Sequence, residues 1–124
     1  MTPKEIATAA AHAAADIKAE DLIVLDLGAL TSFTDFFVIC SGNSNRQVQA
    51  IADSISKQLK IKKQNFLGIE GYAEGQWILI DFGSVVVHVF YREVRSYYNL
   101  EKLWSDAKPL RVRGLTESAR AAAS

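Results

Sequence analysis

The most constraining feature of this sequence is a pair of apolar segments, residues 76–82 and 85–90, separated by Gly83-Ser84. A two-residue loop that contains glycine between two such segments predicts a β-hairpin. Side chains alternate between the two faces of a strand, so this pattern assigns each residue of the hairpin to a face. One face is entirely apolar and should lie under helices; it carries Ile78, Ile80, Phe82, Val85, Val87 and Val89.

The other face of the hairpin mixes large apolar side chains with one carboxylate and one imidazole. A small domain with few helices does not easily cover both faces of its sheet. An accessible tryptophan beside charged groups is typical of protein interfaces. We therefore interpret this face as a candidate recognition surface, and packing of its tryptophan under the N-terminal helix is the alternative. The face carries Trp77, Leu79, Asp81, Val86, His88 and Phe90.

Signals before the hairpin predict alternating helices and strands. Thr2 and Glu5 form a capping box at the start of an alanine-rich helix that continues through Ile17. Residues 21–27 and 36–41 are short, apolar and bounded by polar or glycine residues, so both are predicted strands. The sequence therefore enters the domain as helix, strand, loop and strand.

A second capping box, Ser44 to Gln47, opens an amphipathic helix over residues 45–62. A further strand is predicted at residues 66–70, and strand–helix–strand over 36–70 predicts a parallel pair of strands. Two short helices should follow the hairpin, near residues 91–97 and 99–107. We expect an α/β fold, with a mixed sheet and helices mainly on one face.

Length and composition fit one domain. The chain has 124 residues, of which 49% are hydrophobic and 23% are charged. The hydrophobic share is enough for a core at this length, and the ordinary charged share argues against wholesale disorder. We assign residues 1–110 to the domain and expect a weakly ordered C-terminal tail at 111–124. Fourteen basic and fourteen acidic side chains cancel, so a strongly basic nucleic-acid binder is not expected, although a local basic patch is compatible with this balance.

The single cysteine and the absence of long apolar runs indicate a cytoplasmic setting. Cys40 has no second cysteine with which to form an intramolecular disulfide or a cysteine-based zinc site, which fits a reducing cytosol. Its apolar neighbours predict a buried, inert thiol. No segment resembles a membrane span, a signal peptide or a transit peptide.

The turn at residues 41–44 joins a strand to a helix, the layout of a nucleotidyltransferase-like domain. Active members pair such a turn with several carboxylates on a nearby strand, whereas the hairpin here offers only Asp81. His88 is flanked by valines, without a serine or cysteine nucleophile beside it. We therefore expect a protein that is not an enzyme and needs no cofactor or metal, and we interpret the turn as a helix cap.

Two groups of basic residues are candidate RNA contacts. Lys57, Lys60, Lys62 and Lys63 lie near the end of the second helix, where they form either a phosphate contact or a solvated face. Basic and aromatic residues also alternate after the hairpin, as in platforms for single-stranded RNA. Packing or a protein interface is the preferred interpretation of this second group, which comprises Tyr91, Arg92, Arg95, Tyr97 and Tyr98.

Several ordered blocks of the sequence resemble the Iojap family of ribosomal silencing factors. The resemblance extends from about residue 6 to residue 112, and it depends on several blocks rather than one motif. The blocks are DFFVICS at 35–41, GNSNRQVQAI at 42–51, EG at 70–71, WILIDFGSVVVHVF at 77–90 and RSYYNLEKLW at 95–104.

The resemblance implies a nucleotidyltransferase-like fold without catalytic carboxylates. It also implies binding to ribosomal protein L-fourteen on the large ribosomal subunit, steric blocking of the small subunit, a homodimer when free, and at most a minor ribosomal RNA contact. A large-subunit assembly factor and a degenerate nucleotide-binding protein are the alternatives. The candidate partner-binding residues are Trp77, Asp81, His88, Phe90, Tyr91, Tyr98, Leu100 and Trp104.

Overall fold

A six-stranded mixed sheet forms the centre of the computed structural model, which describes residues 1–103 and 105–115. The strand order is β3-β4-β5-β2-β1-β6, and β2 and β5 are the parallel neighbours. The predicted α/β class with a mixed sheet is confirmed, while the nucleotidyltransferase-like detail stays a prediction. The strands are β1 (Glu20–Asp26), β2 (Phe36–Gly42), β3 (Gly68–Glu70), β4 (Trp77–Asp81), β5 (Val85–Tyr91) and β6 (Lys108–Pro109).

The parallel partner of β2 differs from the one that the sequence predicted. Strand–helix–strand order suggested β3, but β5 lies beside β2 and pairs Ile39 with His88. β3 instead forms the sheet edge, antiparallel to β4. The apolar strand β5 is buried over almost its whole length, whereas β3 has no fully buried residue. The central position therefore goes to the strand that buries more apolar surface on both faces.

Both long helices begin where the sequence predicted. In α1 (Pro3–Asp16), Thr2 Oγ1 accepts a hydrogen bond from Glu5 N, and Glu5 Oε1 accepts one from Thr2 N. In α2 (Asn45–Ile61), Ser44 Oγ accepts from Gln47 N at 3.1 Å. The Gln47 side chain reaches Asn43 N rather than Ser44 N, so the second capping box is displaced by one residue.

The two long helices pack together over one face of the sheet. Alanines 7, 10 and 14 are fully buried along α1, so no large side chain separates the helices. Ser54 of α2 donates a hydrogen bond across this contact to Ala13 O at 3.0 Å. The predicted apolar hairpin face lies beneath them, and all six of its residues belong to this core: Ile78, Ile80, Phe82, Val85, Val87 and Val89.

The opposite face of the sheet has less cover. A 3₁₀ turn (Gly28–Leu30) lies between β1 and β2, while α3 (Arg92–Tyr98) and the single-turn α4 (Leu100–Leu103) follow β5. Val94 and Leu100 pack on a second apolar cluster that includes Phe37, Ile39 and Phe90. The prediction that helices lie mainly on one face is therefore confirmed.

The chain after β6 returns to the first face of the sheet. Leu110, Val112 and Leu115 are partly buried against the core that α1 and α2 cover. The predicted tail at 111–124 thus begins with a packed segment. Residues 116–124 lie outside the described part of the chain, so the domain boundary at 110 stays a prediction.

Candidate functional site: an aromatic surface

An aromatic surface lies on the sheet face that α1 and α2 leave uncovered. We use this name for Trp77, His88, Phe90 and Tyr98. Trp77 is half-buried and stacks on Phe90, with ring centroids 5.1 Å apart, and Tyr98 of α3 lies 4.5 Å from it. The rings of Phe90 and Tyr98 are themselves 6.4 Å apart, so the three rings form a triangle. Tyr98 is 46% exposed, whereas Phe90 is fully buried. The accessible part of this surface is therefore formed by Trp77 and Tyr98, with Phe90 as the buried base.

A hydrogen bond holds the indole of Trp77 in place. Trp77 Nε1 donates to His88 Nδ1 at 3.1 Å, so the proton of the neutral imidazole lies on Nε2. His88 is buried, and the cost of burying its charged form lowers its pKa from 6.5 to about 4. The imidazole is therefore neutral at pH 7, and its Nδ1 remains an acceptor for Trp77.

The rings continue from His88 towards the loop before β2. Phe37 meets the imidazole edge to face at 4.6 Å, and Phe33 lies 6.5 Å from Phe37. Phe33 is 62% exposed, so the aromatic array reaches solvent at both ends. The sequence reasoning missed Phe33 and Phe37, although alternation along residues 36–41 places Phe37 and Ile39 on one face and was a usable signal.

Asp81 lies at the far end of the same hairpin face and stabilises the turn. Its Oδ1 accepts a hydrogen bond from Gly83 N at 2.7 Å. The side chain is half-buried, so one carboxylate oxygen is committed within the hairpin. The structure thus gives Asp81 a local role, and its predicted partner contact stays a prediction.

Of the remaining candidates, the structure describes Tyr91 and Leu100. Tyr91 packs towards the helix-covered core, so the structure does not bring it to the aromatic surface. Leu100 is half-buried against the second apolar cluster beside that surface. Trp104 lies outside the described residues. The alternative in which Trp77 packs under the N-terminal helix is wrong, because α1 covers the opposite face.

Arginines fix α3, and with it Tyr98, against the sheet. Arg95 Nη1 donates to Asp21 O at 2.6 Å and to Ser41 Oγ at 3.0 Å. Arg92 lies 3.5 Å from Glu20 Oε1 as an exposed ion pair. The guanidinium of Arg95 therefore joins α3 to the ends of β1 and β2, a use that differs from the RNA platform considered from sequence.

The turn before α2 is occupied by its own side chains. Ser44 and Gln47 accept the backbone N–H groups described above, and Gln47 Nε2 also donates to Ile17 O at 3.3 Å. A Cβ at Gly42 would lie 3.1 Å from Val48 N, so the backbone approaches the helix start closely. These contacts favour the helix-cap interpretation of the turn.

Over residues 1–103 and 105–115, no three His, Cys, Asp or Glu side chains are grouped as a metal site would require. No helix there has the length and apolar character needed to span a membrane. Cys40 is fully buried, and burial raises its thiol pKa to about 12, as expected for an inert thiol.

Comparison with known proteins gives consistent matches over most of the chain. The family model "Ribosomal silencing factor during starvation" matches residues 1–124. The ribosomal silencing factor of Bacillus subtilis is 49% identical over 107 residues, covering 86% of this chain and 91% of that protein. The ribosomal silencing factor of Halalkalibacterium halodurans is 44% identical over 115 residues, covering 93% of this chain and 98% of that protein.

Structural and organelle relatives agree with these matches. A crystal structure of a protein from Chromobacterium violaceum has a TM-score of 0.83 at 44% identity and covers 85% of this chain and 88% of its own. The mouse protein named "Mitochondrial assembly of ribosomal large subunit protein 1" is 38% identical over 90 residues, or 70% of this chain and 40% of its own length. The chain belongs to the family of ribosomal silencing factors.

Proposed function

We propose that this protein binds ribosomal protein L-fourteen on the large ribosomal subunit, and that its bulk then blocks joining of the small subunit. Membership of the silencing-factor family supports a ribosomal role. The observation that carries the proposal is the position of Trp77, half-buried against Phe90 and Tyr98 on the less covered sheet face. In this proposal the aromatic surface is the docking face.

The geometry of Trp77 suits a binding anchor. Stacking on Phe90 and the hydrogen bond to His88 hold the indole before any partner arrives. A side chain that is already ordered loses less conformational entropy on binding than a mobile one. Buried aromatic anchors at interface centres contribute about 2 kcal/mol or more each. Loss of the Trp77 ring should therefore weaken large-subunit binding about thirtyfold.

Within this proposal the protein acts by occupying a surface and catalyses no reaction. The anion-binding potential of the turn before α2 is reduced because Ser44 and Gln47 already accept its backbone N–H groups. Titration calorimetry with ATP and magnesium checks this point. Heat that saturates at millimolar nucleotide would favour a degenerate nucleotide-binding protein instead.

Co-sedimentation is the direct test of the function. Purified protein is mixed with large subunits and centrifuged through a sucrose gradient, and small subunits are then added. We expect the protein to travel with the large subunit and whole ribosomes to fail to form. Protein that remains at the top of the gradient, or whole ribosomes that form normally in its presence, would refute the steric mechanism.

Variants connect the mechanism to the aromatic surface. Trp77→Ala should lose large-subunit binding, while Trp77→Phe, which keeps a ring but lacks the indole N–H, should lose less. Ile61→Ala is the matched control, since Ile61 is 66% exposed on α2 in the other layer of the fold. Circular dichroism of each variant confirms folding. Full binding by folded Trp77→Ala protein would remove this residue as the anchor.

A role in large-subunit assembly is the second candidate, favoured by the name of the mouse relative. The two roles differ in the particle that is bound. Preferential binding to immature large subunits, rather than to mature ones, would favour assembly.

We also propose that the free protein is a cytoplasmic homodimer. Sedimentation equilibrium measures its mass directly.

A further inference from the structure

The outer side of α2 carries a depression that the proposed docking face does not use. Its volume is about 490 Å³, a size that suits a small ligand group. It lies where the last turns of α2 meet the loop that leads to β3. The lining residues are Asp53, Ser56, Lys57, Lys60, Asn65 and Phe66.

Positive charge is concentrated around this depression. Residues 54–69 contain four lysines and no acidic residue, although the whole chain has no net charge. Lys57 and Lys60 lie three residues apart and therefore on one side of the helix. Both are exposed, and neither forms an ion pair with a described carboxylate. Their ammonium groups are thus available to an anionic partner.

The carboxylate in the lining, that of Asp53, forms a hydrogen bond with a tyrosine. Asp53 Oδ2 accepts a hydrogen bond from the Tyr72 hydroxyl at 3.0 Å. This contact, with the negative charge, raises the pKa of Tyr72, so the phenol keeps its proton and remains a donor to Asp53. Phe66 is 40% exposed and Tyr72 is 39% exposed. The depression therefore combines two cations, one carboxylate that is hydrogen-bonded to Tyr72, an accessible ring and the polar side chains of Ser56 and Asn65.

We propose that this depression binds a single-stranded segment of RNA. Lys57 and Lys60 would contact successive phosphates, and Phe66 would stack on a base, the pairing of charge and ring that single-strand sites use. The hydroxyl of Ser56 and the amide of Asn65 supply hydrogen bonds to sugar or base edges. An acidic polypeptide would satisfy the lysines but would leave the ring of Phe66 without a stacking partner, so RNA fits the lining better.

This site deepens the proposed function, and it rests on that function in taking the RNA to be ribosomal. The depression lies on α2, which covers one face of the sheet, while the aromatic surface lies on the other face. The two contacts therefore do not compete for the same side chains. A protein docked through Trp77 would still present Lys57 and Lys60 to neighbouring RNA.

Fluorescence anisotropy tests the site without the ribosome. The probe is a fluorescein-labelled single-stranded RNA of roughly ten nucleotides, within the range that single-strand sites cover. Wild-type protein is compared with Lys57→Gln/Lys60→Gln, with Phe66→Ala, and with Lys18→Gln/Lys108→Gln. The last variant removes the same charge at exposed lysines elsewhere, one beside α1 and one in β6 at the opposite sheet edge.

The proposal predicts a specific pattern of losses. Affinity for RNA should fall with salt, and the Lys57/Lys60 variant should reduce the slope of log K against log salt by about 1.4, since each phosphate contact to a single strand contributes about 0.7. Phe66→Ala should weaken binding about fivefold or more through lost stacking. The Lys18/Lys108 control should keep the wild-type slope.

Other outcomes would overturn the site. The first is a wild-type protein that fails to bind RNA at about 50 mM salt. Contacts to phosphate are strong at such low salt, so this result would refute the site. Equal losses of RNA affinity in the two double-lysine variants would also refute the site. They would mean that RNA responds to the overall charge of the protein and not to this depression. Displacement of the RNA by polyglutamate with no effect of Phe66→Ala indicates an acidic polypeptide instead. Because co-sedimentation of Trp77→Ala is measured separately, failure of this site and failure of the proposed function remain distinguishable.

Discussion

Mild acid should destabilise this protein through one imidazole, that of His88. The side chain is buried among Trp77, Phe37 and Phe90, and its Nδ1 accepts the indole hydrogen bond. Its Nε2 has no hydrogen-bond partner among the described residues. A proton on Nδ1 would replace an acceptor with a donor facing the N–H of Trp77, in a site with little solvent to stabilise the charge.

The size of the effect follows from the pKa. Burial lowers the pKa of His88 from 6.5 to about 4 in the folded protein, while the unfolded chain keeps the ordinary value. Between these values the unfolded state binds more protons, so stability falls as pH falls. The contribution is fully present above pH 6.5 and fully lost below about pH 4. At about 1.4 kcal/mol per pH unit, the loss across this window amounts to ~3 kcal/mol.

Urea unfolding between pH 7.5 and pH 4.5 measures this loss. His88→Gln is the comparison, because its amide oxygen can still accept from Trp77 Nε1 but does not titrate. Every other titratable group is shared by the two proteins, so the difference between them isolates His88. We expect wild-type protein to lose about 2 to 3 kcal/mol more than the variant over this range.

Parallel pH profiles for wild type and His88→Gln would refute the reasoning. Such a result would mean that the protonated imidazole is tolerated in the folded state, through solvent access or an anionic neighbour. Large-subunit binding measured at the same pH values extends the test, because loss of the His88 acceptor should release Trp77 from its preset position before the fold is lost.

Three further predictions concern the scaffold. Ser44→Ala removes the acceptor for Gln47 N and should lower the free energy of unfolding by about 1 kcal/mol in urea titrations, whereas an equal loss in the exposed-loop control Ser32→Ala would argue against the cap. Gly71→Ala should lower the free energy of unfolding by more than about 2 kcal/mol, because Gly71 has φ +80° and a Cβ there would lie 2.1 Å from Trp77 O. Gly68→Ala is the control, since a Cβ at Gly68 would have nothing within 4 Å. Similar melting temperatures for the two variants would contradict this prediction. The Cys40 thiol should react with a thiol reagent only after urea unfolding, since it is fully buried with a pKa of about 12, and prompt reaction of native protein would show an accessible thiol.

Local signals in the sequence were sufficient for most elements and for the faces of the hairpin. The capping residues Thr2 and Ser44 predicted both helix starts because a cap depends on neighbours within one turn. Alternation along β4 and β5 placed Trp77 and Phe90 on one face because the period of a strand is local geometry. Family resemblance, which depends on blocks of residues, also came from the sequence.

Tertiary structure decided which of these elements meet. The choice of β5 over β3 as the neighbour of β2 depends on competition between distant strands for burial, which a local pattern does not encode. Local patterns also do not encode the hydrogen bond from Arg95 to Asp21 O. Nor do they encode the hydrogen bond from Trp77 to His88 that holds the indole.

The sequence by itself therefore determined the helix starts, the two faces of the hairpin and the family. Only the folded chain brought Tyr98 beside Trp77, added Phe33 and Phe37 to the array, and placed Phe66 and Lys57 in the lining of one depression. The physical reason is the range of the interactions: caps and strand alternation act over a few residues, whereas these contacts join residues whose positions follow from the packing of the whole sheet.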